Sequence, residues 1–182
     1  MENPRIKRLQ RDYQKLVELA SSSPFVHIEQ AMGQPPNKYV IRLTCRGITT
    51  IDGSGRPVFS NNHLLAVDLH NEYPRRGPLF NMLTPVWHPN IGHGPGGWVC
   101  IGDAGDHGYS PAMGLDDLIV RIIEIIRYEN YTPGSAANGL ARDWVSHQPK
   151  TMFPLETAQI RGADIFGAIE FLDDDDLDIE IW

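Results

Sequence analysis

The residue types that could do chemistry crowd into residues 88–111, HPNIGHGPGGWVCIGDAGDHGYSP, which hold Cys100, one of 2 cysteines, and His88, His93 and His107 of 7 histidines. Three roles are open to Cys100. As a thiolate it is a nucleophile for acyl transfer. With the histidines it is a ligand for zinc. Otherwise it is a small apolar residue of the interior. In an extended WVCI segment Val99 and Ile101 point to one side and Cys100 to the other. If the two aliphatics face the core, the sulfur faces outward, and Gly96, Gly97 and Gly102 leave room for a second backbone to approach. The metal reading is the weaker rival: His88, His93, Cys100 and His107 are spaced H-x4-H-x6-C-x6-H, unlike the compact pairs of zinc sites, and supply one thiolate, so no metal or other cofactor is assigned. A cysteine hydrolase would need a histidine and an orienting carboxylate, and no such set stands out.

These residues must be positioned by the elements around them. Asn3-Pro4 is a helix start, a capping side chain followed by proline in the first turn. Ile6, Leu9, Tyr13, Leu16, Val17 and Ala20 then recur at helical spacing, which predicts an amphipathic helix with a basic outer face. Segments 25–31, 38–46, 63–70 and 79–84 carry strand character, and DGSGRP (52–57) is a turn or loop. In the second segment Tyr39, Ile41, Leu43 and Cys45 share a face, which puts Cys45 in the core. The loops are too short for helical crossovers, so the four strands form an antiparallel meander. Leu115, Leu118, Ile119, Ile122, Ile123 and Ile126 predict a central core helix with Asp116 and Asp117 in its first turn. A further helix, from about residue 138 to 147, turns Leu140, Ala141, Trp144 and Val145 inward. The class is therefore mixed, α+β: a helix, an antiparallel sheet, a glycine-rich loop and then helices. Residues 1–153 make one domain and 154–182 an acidic extension.

The 182 residues carry a net charge of −7, and it is unevenly spread. Asp164, Glu170, Asp173, Asp174, Asp175, Asp176, Asp178 and Glu180 face no base after residue 163, and without them the net charge is about +1. The first helix leans the other way, with Arg5, Lys7, Arg8, Arg11 and Lys15 against Glu2 and Asp12. The acidic end is either a solubilising tail or docks Ile179, Ile181 and Trp182 on a partner or back on the domain. Two cysteines make no disulfide framework, residues 1–14 have no apolar signal region, and Arg121, Glu124 and Arg127 interrupt the greasiest segment. A reducing cytoplasm and no membrane contact are expected. No groove-reading motif accompanies the basic helix, so no nucleic acid is expected either.

The order of parts resembles a ubiquitin-conjugating enzyme. The residues that carry the likeness are Glu72-Tyr73-Pro74, Phe80, Thr84-Pro85, His88-Pro89-Asn90-Ile91, Gly97, Val99-Cys100-Ile101, Tyr109-Ser110-Pro111 and Leu115, and it extends over about residues 3–148. The combination of His-Pro-Asn-Ile with a downstream Val-Cys-Ile is its specific part. There are departures: the interval from Asn90 to Cys100 is longer than in typical members, Tyr109 stands where tryptophan is usual, and the region after Cys100 is rich in Gly and Asp. They suggest a divergent member, similar to bacterial relatives that act with their own activating enzyme and ubiquitin-like protein.

The resemblance implies that Cys100 takes a ubiquitin-like modifier as a thioester from an activating enzyme, which is where ATP is used, and passes it to a lysine of a target protein. It implies Asn90 as the amide that holds the oxyanion and Ser135 at the gate of the site, and Asp103, three residues after the thiol, could supply a carboxylate near the incoming lysine. Asp106 and His107 are further options there, each also readable as a solvated loop residue. His88 reads as a structural hydrogen-bonder rather than a base, and Pro89 and Tyr109 as structural neighbours. The first helix, through Arg5, Lys7, Arg8 and Arg11, would dock the activating enzyme. The alternative is a non-catalytic module of the same fold that binds a ubiquitin-like protein.

Overall fold

The computed structural model describes residues 3–102, 108–129 and 136–162. Helix α1 (Pro4–Ser22) begins where Asn3 accepts a hydrogen bond from the Arg5 N–H at 2.9 Å. Strands β1 (Val26–Gly33) and β2 (Pro36–Leu43) follow, then the short pair β3 (Gly47–Ile51) and β4 (Pro57–Ser60), then β5 (His63–Asp68), β6 (Leu79–Met82) and the two-residue β7 (Gly97–Trp98). Helices α2 (Leu115–Ile126) and α3 (Gly139–Ser146) and a 3-10 turn (Lys150–Met152) complete the order.

The main sheet runs β1-β2-β5-β6-β7, each neighbour antiparallel. Its first four strands are the expected meander. Two additions were not expected: β7, which extends the sheet to the glycine-rich stretch, and the separate β3–β4 hairpin. The expected turn at 52–57 is the tip of that hairpin, where Asp52 Oδ1 accepts from the N–H groups of Ser54 and Arg56 at 2.8 and 2.9 Å. A side-chain acceptor of this kind fixes a turn locally.

One core joins α1, the inner face of the sheet and α2. Helix α2 buries Leu115, Leu118, Ile119, Ile122, Ile123, Ile125 and Ile126, each worth about 1.5–3 kcal/mol of transfer free energy when fully buried. Cys45 lies in this core with Tyr39, Ile41 and Leu43. Burial pushes its thiol up to about 12.

Helix α1 is rotated from its expected orientation. Leu9, Leu16 and Leu19 face inward, but so do Arg8 and Asp12, while Ile6, Tyr13 and Val17 reach the surface. The cause is a buried polar cluster. Arg8 Nε donates to Asp12 Oδ2 at 2.7 Å, Tyr73 Oη donates to the same oxygen at 2.5 Å, and Arg8 Nη2 donates to Tyr73 Oη at 2.8 Å. Arg8 also donates to the carbonyls of Pro111 and Met113. Its partners satisfy the charge, which is what permits its burial. In α3, Ala141 and Val145 are buried as expected, but Leu140 is 63 % exposed.

The boundary expected after residue 153 does not end the packed body. Pro154 and Ile160 are buried. Arg127 Nη1 donates to the Ala158 carbonyl at 2.8 Å, and Arg161 pairs with Asp116 at 3.0 Å. Residues 154–162 thus run back along α2 toward its N-terminus.

Candidate functional site

The segment carrying Cys100 is hydrogen-bonded on both sides. The Val99 N–H donates to the Phe80 carbonyl of β6 at 2.9 Å. On the other side the Cys100 N–H donates to the Asn90 carbonyl at 2.8 Å, and the Gly92 N–H to the Trp98 carbonyl at 2.9 Å. Alternating N–H directions in an extended chain produce this two-sided grip. Glycines make the return possible: Gly96 has φ +80°, a left-handed conformation that favours glycine, and a side chain at Gly97 would collide with the Gly92 carbonyl.

The turn 88–91 is braced from beneath. His88 is fully buried, and its Nδ1 accepts from the Asn90 N–H at 3.0 Å. Burial lowers its pKa to about 3, so the ring is neutral near pH 7 and no base. Its ring packs edge-on against Tyr128, with centroids 4.4 Å apart, and Tyr128 Oη donates to the Trp87 carbonyl. The Asn138 N–H donates to the Pro89 carbonyl at 3.0 Å, while its side chain caps α3 by accepting from the Ala141 N–H at 3.1 Å. Tyr109 is buried, and its hydroxyl donates to the Pro74 carbonyl at 2.8 Å, tying the segment after the glycine-rich loop to the 72–74 turn.

Val99 and Ile101 enter the main core, and Cys100, unlike Cys45, is not among the residues of that apolar cluster. The alternation of WVCI therefore reads correctly. The inference of an open thiol does not. Cys100 is 1 % exposed, its Sγ donates to the Gly102 carbonyl at 3.4 Å, and Asn90 is 2 % exposed. Strand alternation tells which side of the chain faces the core; it does not tell what covers the other side. Trp98, two residues before the thiol, is 47 % exposed.

Asp103, Asp106, His107 and Ser135 lie outside the described residues. Among the described residues no group of three or more His, Cys, Asp or Glu side chains could hold a metal ion. His93 packs against Trp87, ring centroids 5.8 Å apart. Of the four basic residues expected to bind a partner, Lys7 and Arg11 are exposed, and Arg5 is partly buried, its Nη2 donating to the Leu69 and His70 carbonyls at 2.9 and 3.2 Å. Arg8 is not on the outer face. Asn138 was missed as a site residue: an asparagine before an apolar-periodic segment signals a helix cap, but nothing in its spacing from Pro89, 49 positions earlier in the chain, signals their main-chain bond.

The five-stranded antiparallel sheet packed with α1 and α2 has counterparts among known proteins. The model of the ubiquitin-conjugating enzyme family matches residues 8–154, so the chain belongs to that family. Among solved structures, a Trypanosoma cruzi protein described as a ubiquitin conjugating enzyme shares 19 % identity at a TM-score of 0.53, over 84 % of this chain and 94 % of that one. The domain of a Toxoplasma gondii ubiquitin conjugating enzyme shares 18 % identity at a TM-score of 0.53, over 76 % and 87 % of the two chains. At these identities the structural likeness speaks for the fold. Among the described residues no helix is long and apolar enough to cross a membrane.

Proposed function

We propose that the chain accepts a ubiquitin-like modifier as a thioester on Cys100 and transfers it to a lysine of a target protein. The Cys100 thiolate attacks the carbonyl of the thioester carried by an activating enzyme, and that enzyme's cysteine leaves as thiolate. The lysine amine, having lost its proton, then attacks the new thioester, and Cys100 is the leaving group. In each step the carbonyl oxygen gains negative charge before the leaving sulfur departs. The Asn90 amide is the donor assigned to it, with Asp103 and Ser135 proposed beside the incoming amine. ATP is consumed by the activating enzyme; this chain needs no cofactor of its own, and a reducing compartment such as the cytoplasm keeps the thiol available.

The observation that carries the reading is the direct main-chain bond between Cys100 and Asn90, in a chain of this family. It holds the backbone of Cys100 against that of Asn90. Cys45, the other thiol, is buried in the core and is not a candidate. The 1 % exposure of Cys100 favours the second reading, a non-catalytic module that binds a ubiquitin-like protein. Catalysis requires the sulfur to become accessible for loading.

Incubation with activating enzyme, ATP and candidate modifiers, followed by gels with and without reductant, separates the two. The catalytic reading expects an adduct that reductant removes and that Cys100→Ser converts to a stable ester or abolishes. A chain that binds the modifier but never forms the adduct is the module instead.

A further inference from the structure

Lys7, Arg11 and Lys15 are exposed and four residues apart, so their side chains form one basic ridge along α1. Ser22, seven residues beyond Lys15, continues the same face. Gly162, the last described residue of the C-terminal segment, lies against it: a side chain built on Gly162 would come within 2.8 Å of the Ser22 carbonyl oxygen. Gly162 is held there by buried Ile160 and by the ion pair of Arg161 with Asp116 at 3.0 Å. Gly162 therefore lies at the upper end of a basic ridge, and every charged residue after it in the sequence is acidic.

We propose that the acidic run at 173–178, DDDDLD, docks on the Lys7–Arg11–Lys15 ridge of its own α1. The reach is sufficient. The eleven residues from Gly162 to Asp173 span up to about 36 Å when extended, and Ser22 to Lys7 is about 22 Å of helix. Exposed ion pairs are individually weak, so a free acidic peptide would gain little here. A segment tethered at the end of the ridge acts at an effective concentration in the millimolar range, about that of a short flexible linker. Glu18 opposes the arrangement locally, and it accepts from Gln14 Nε2 at 3.2 Å; the run reaches past it to the three bases. If the proposed function holds, on which this last step rests, the tail covers the face of α1 that would dock the activating enzyme, and slows loading.

The chain contains few lysines, Lys7, Lys15, Lys38 and Lys150, so carbodiimide cross-linking of the full-length protein reads the contact directly. Monomeric product should link Lys7 and Lys15 to the carboxylates of 173–178 several-fold more than Lys38 and Lys150. The yield should fall in high salt and on Arg11→Glu, which leaves all four amines in place. Equal yields at the four lysines, links confined to a dimer band, or no dependence on salt and Arg11 each overturn the docking. These outcomes need no thioester, so they stand apart from the fate of the proposed function. Removing 173–182 should then accelerate thioester loading at low salt; unchanged loading by a chain that does load overturns the competition.

Discussion

Asn90 and Cys100 are ten positions apart in sequence and joined by one main-chain hydrogen bond of 2.8 Å, Cys100 donating and Asn90 accepting. The clamp on the strand is made by the Asn90 carbonyl, a main-chain group that a side-chain substitution leaves in place. It also separates two effects of mutation. Truncating the amide removes the donor proposed for the oxyanion without removing the clamp.

Asn90→Ala is accordingly expected to keep thioester loading and to slow discharge to lysine by about 10²–10³-fold, the usual effect of losing one oxyanion donor. Single-turnover discharge of preloaded protein measures it. Equal loss of loading and discharge, with a lowered Tm, would assign Asn90 to folding instead.

The two thiols should differ in their response to alkylation. Cys45 is buried in the core and its pKa is pushed up to about 12 by burial, so its thiolate is scarce at pH 8. Iodoacetamide on the native protein should leave Cys45 untouched. Labelling of Cys100, read by peptide mass spectrometry, reports how often its cover opens. Cys100 protected as completely as Cys45, up to the denaturant concentration that unfolds the domain, would favour the non-catalytic module.

Protonation of His88 should weaken the fold as pH falls. Burial lowers its pKa to about 3, below the roughly 6.5 of the unfolded chain. A group with a depressed folded pKa contributes full stability above the unfolded value, and that contribution is lost as pH falls from about 6.5 toward 3. Between pH 7 and 5 the loss reaches at most about 2 kcal/mol from this group. His63, also lowered by burial, adds in the same direction. Urea unfolding at the two pH values measures the sum, and His88→Gln should reduce the difference. An unchanged slope in that variant would sink the assignment.

Much of the fold was legible because its signals are local. Helical spacing of Leu115, Leu118, Ile119 and Ile122 marked α2, and alternation in 38–46 sorted Tyr39, Ile41 and Leu43 from Arg42. The misses share a different cause, long-range partnership. Arg8 looks like a surface residue until Tyr73, 65 positions away, turns it inward. Leu140 looks like core until α3 is placed with Ala141, Val145 and the half-buried Trp144 against the domain. The cover over Cys100 belongs to the same group, since the sequence fixes which side of the strand the sulfur takes and not what lies above it. Leu140→Glu should therefore cost less than about 0.5 kcal/mol, as surface changes do, whereas Ala141→Glu should cost several times that; thermal melts of the two variants give the comparison.

The Arg8–Asp12–Tyr73 cluster should show strong non-additivity. Asp12 is fully buried and takes hydrogen bonds from Arg8 and Tyr73, so Asp12→Asn leaves a guanidinium that is only 9 % exposed without its countercharge. Breaking a buried pair from one side costs about 3–5 kcal/mol, mostly the penalty of the stranded charge. Arg8→Met alone strands the carboxylate and should cost a similar amount. Together the two changes remove both charges, so the double variant should be much less unstable than the sum of the singles. Denaturant midpoints for the four proteins close the cycle. Simple additivity would mean that Arg8 and Asp12 do not hold one another, and that another contact turns α1 inward.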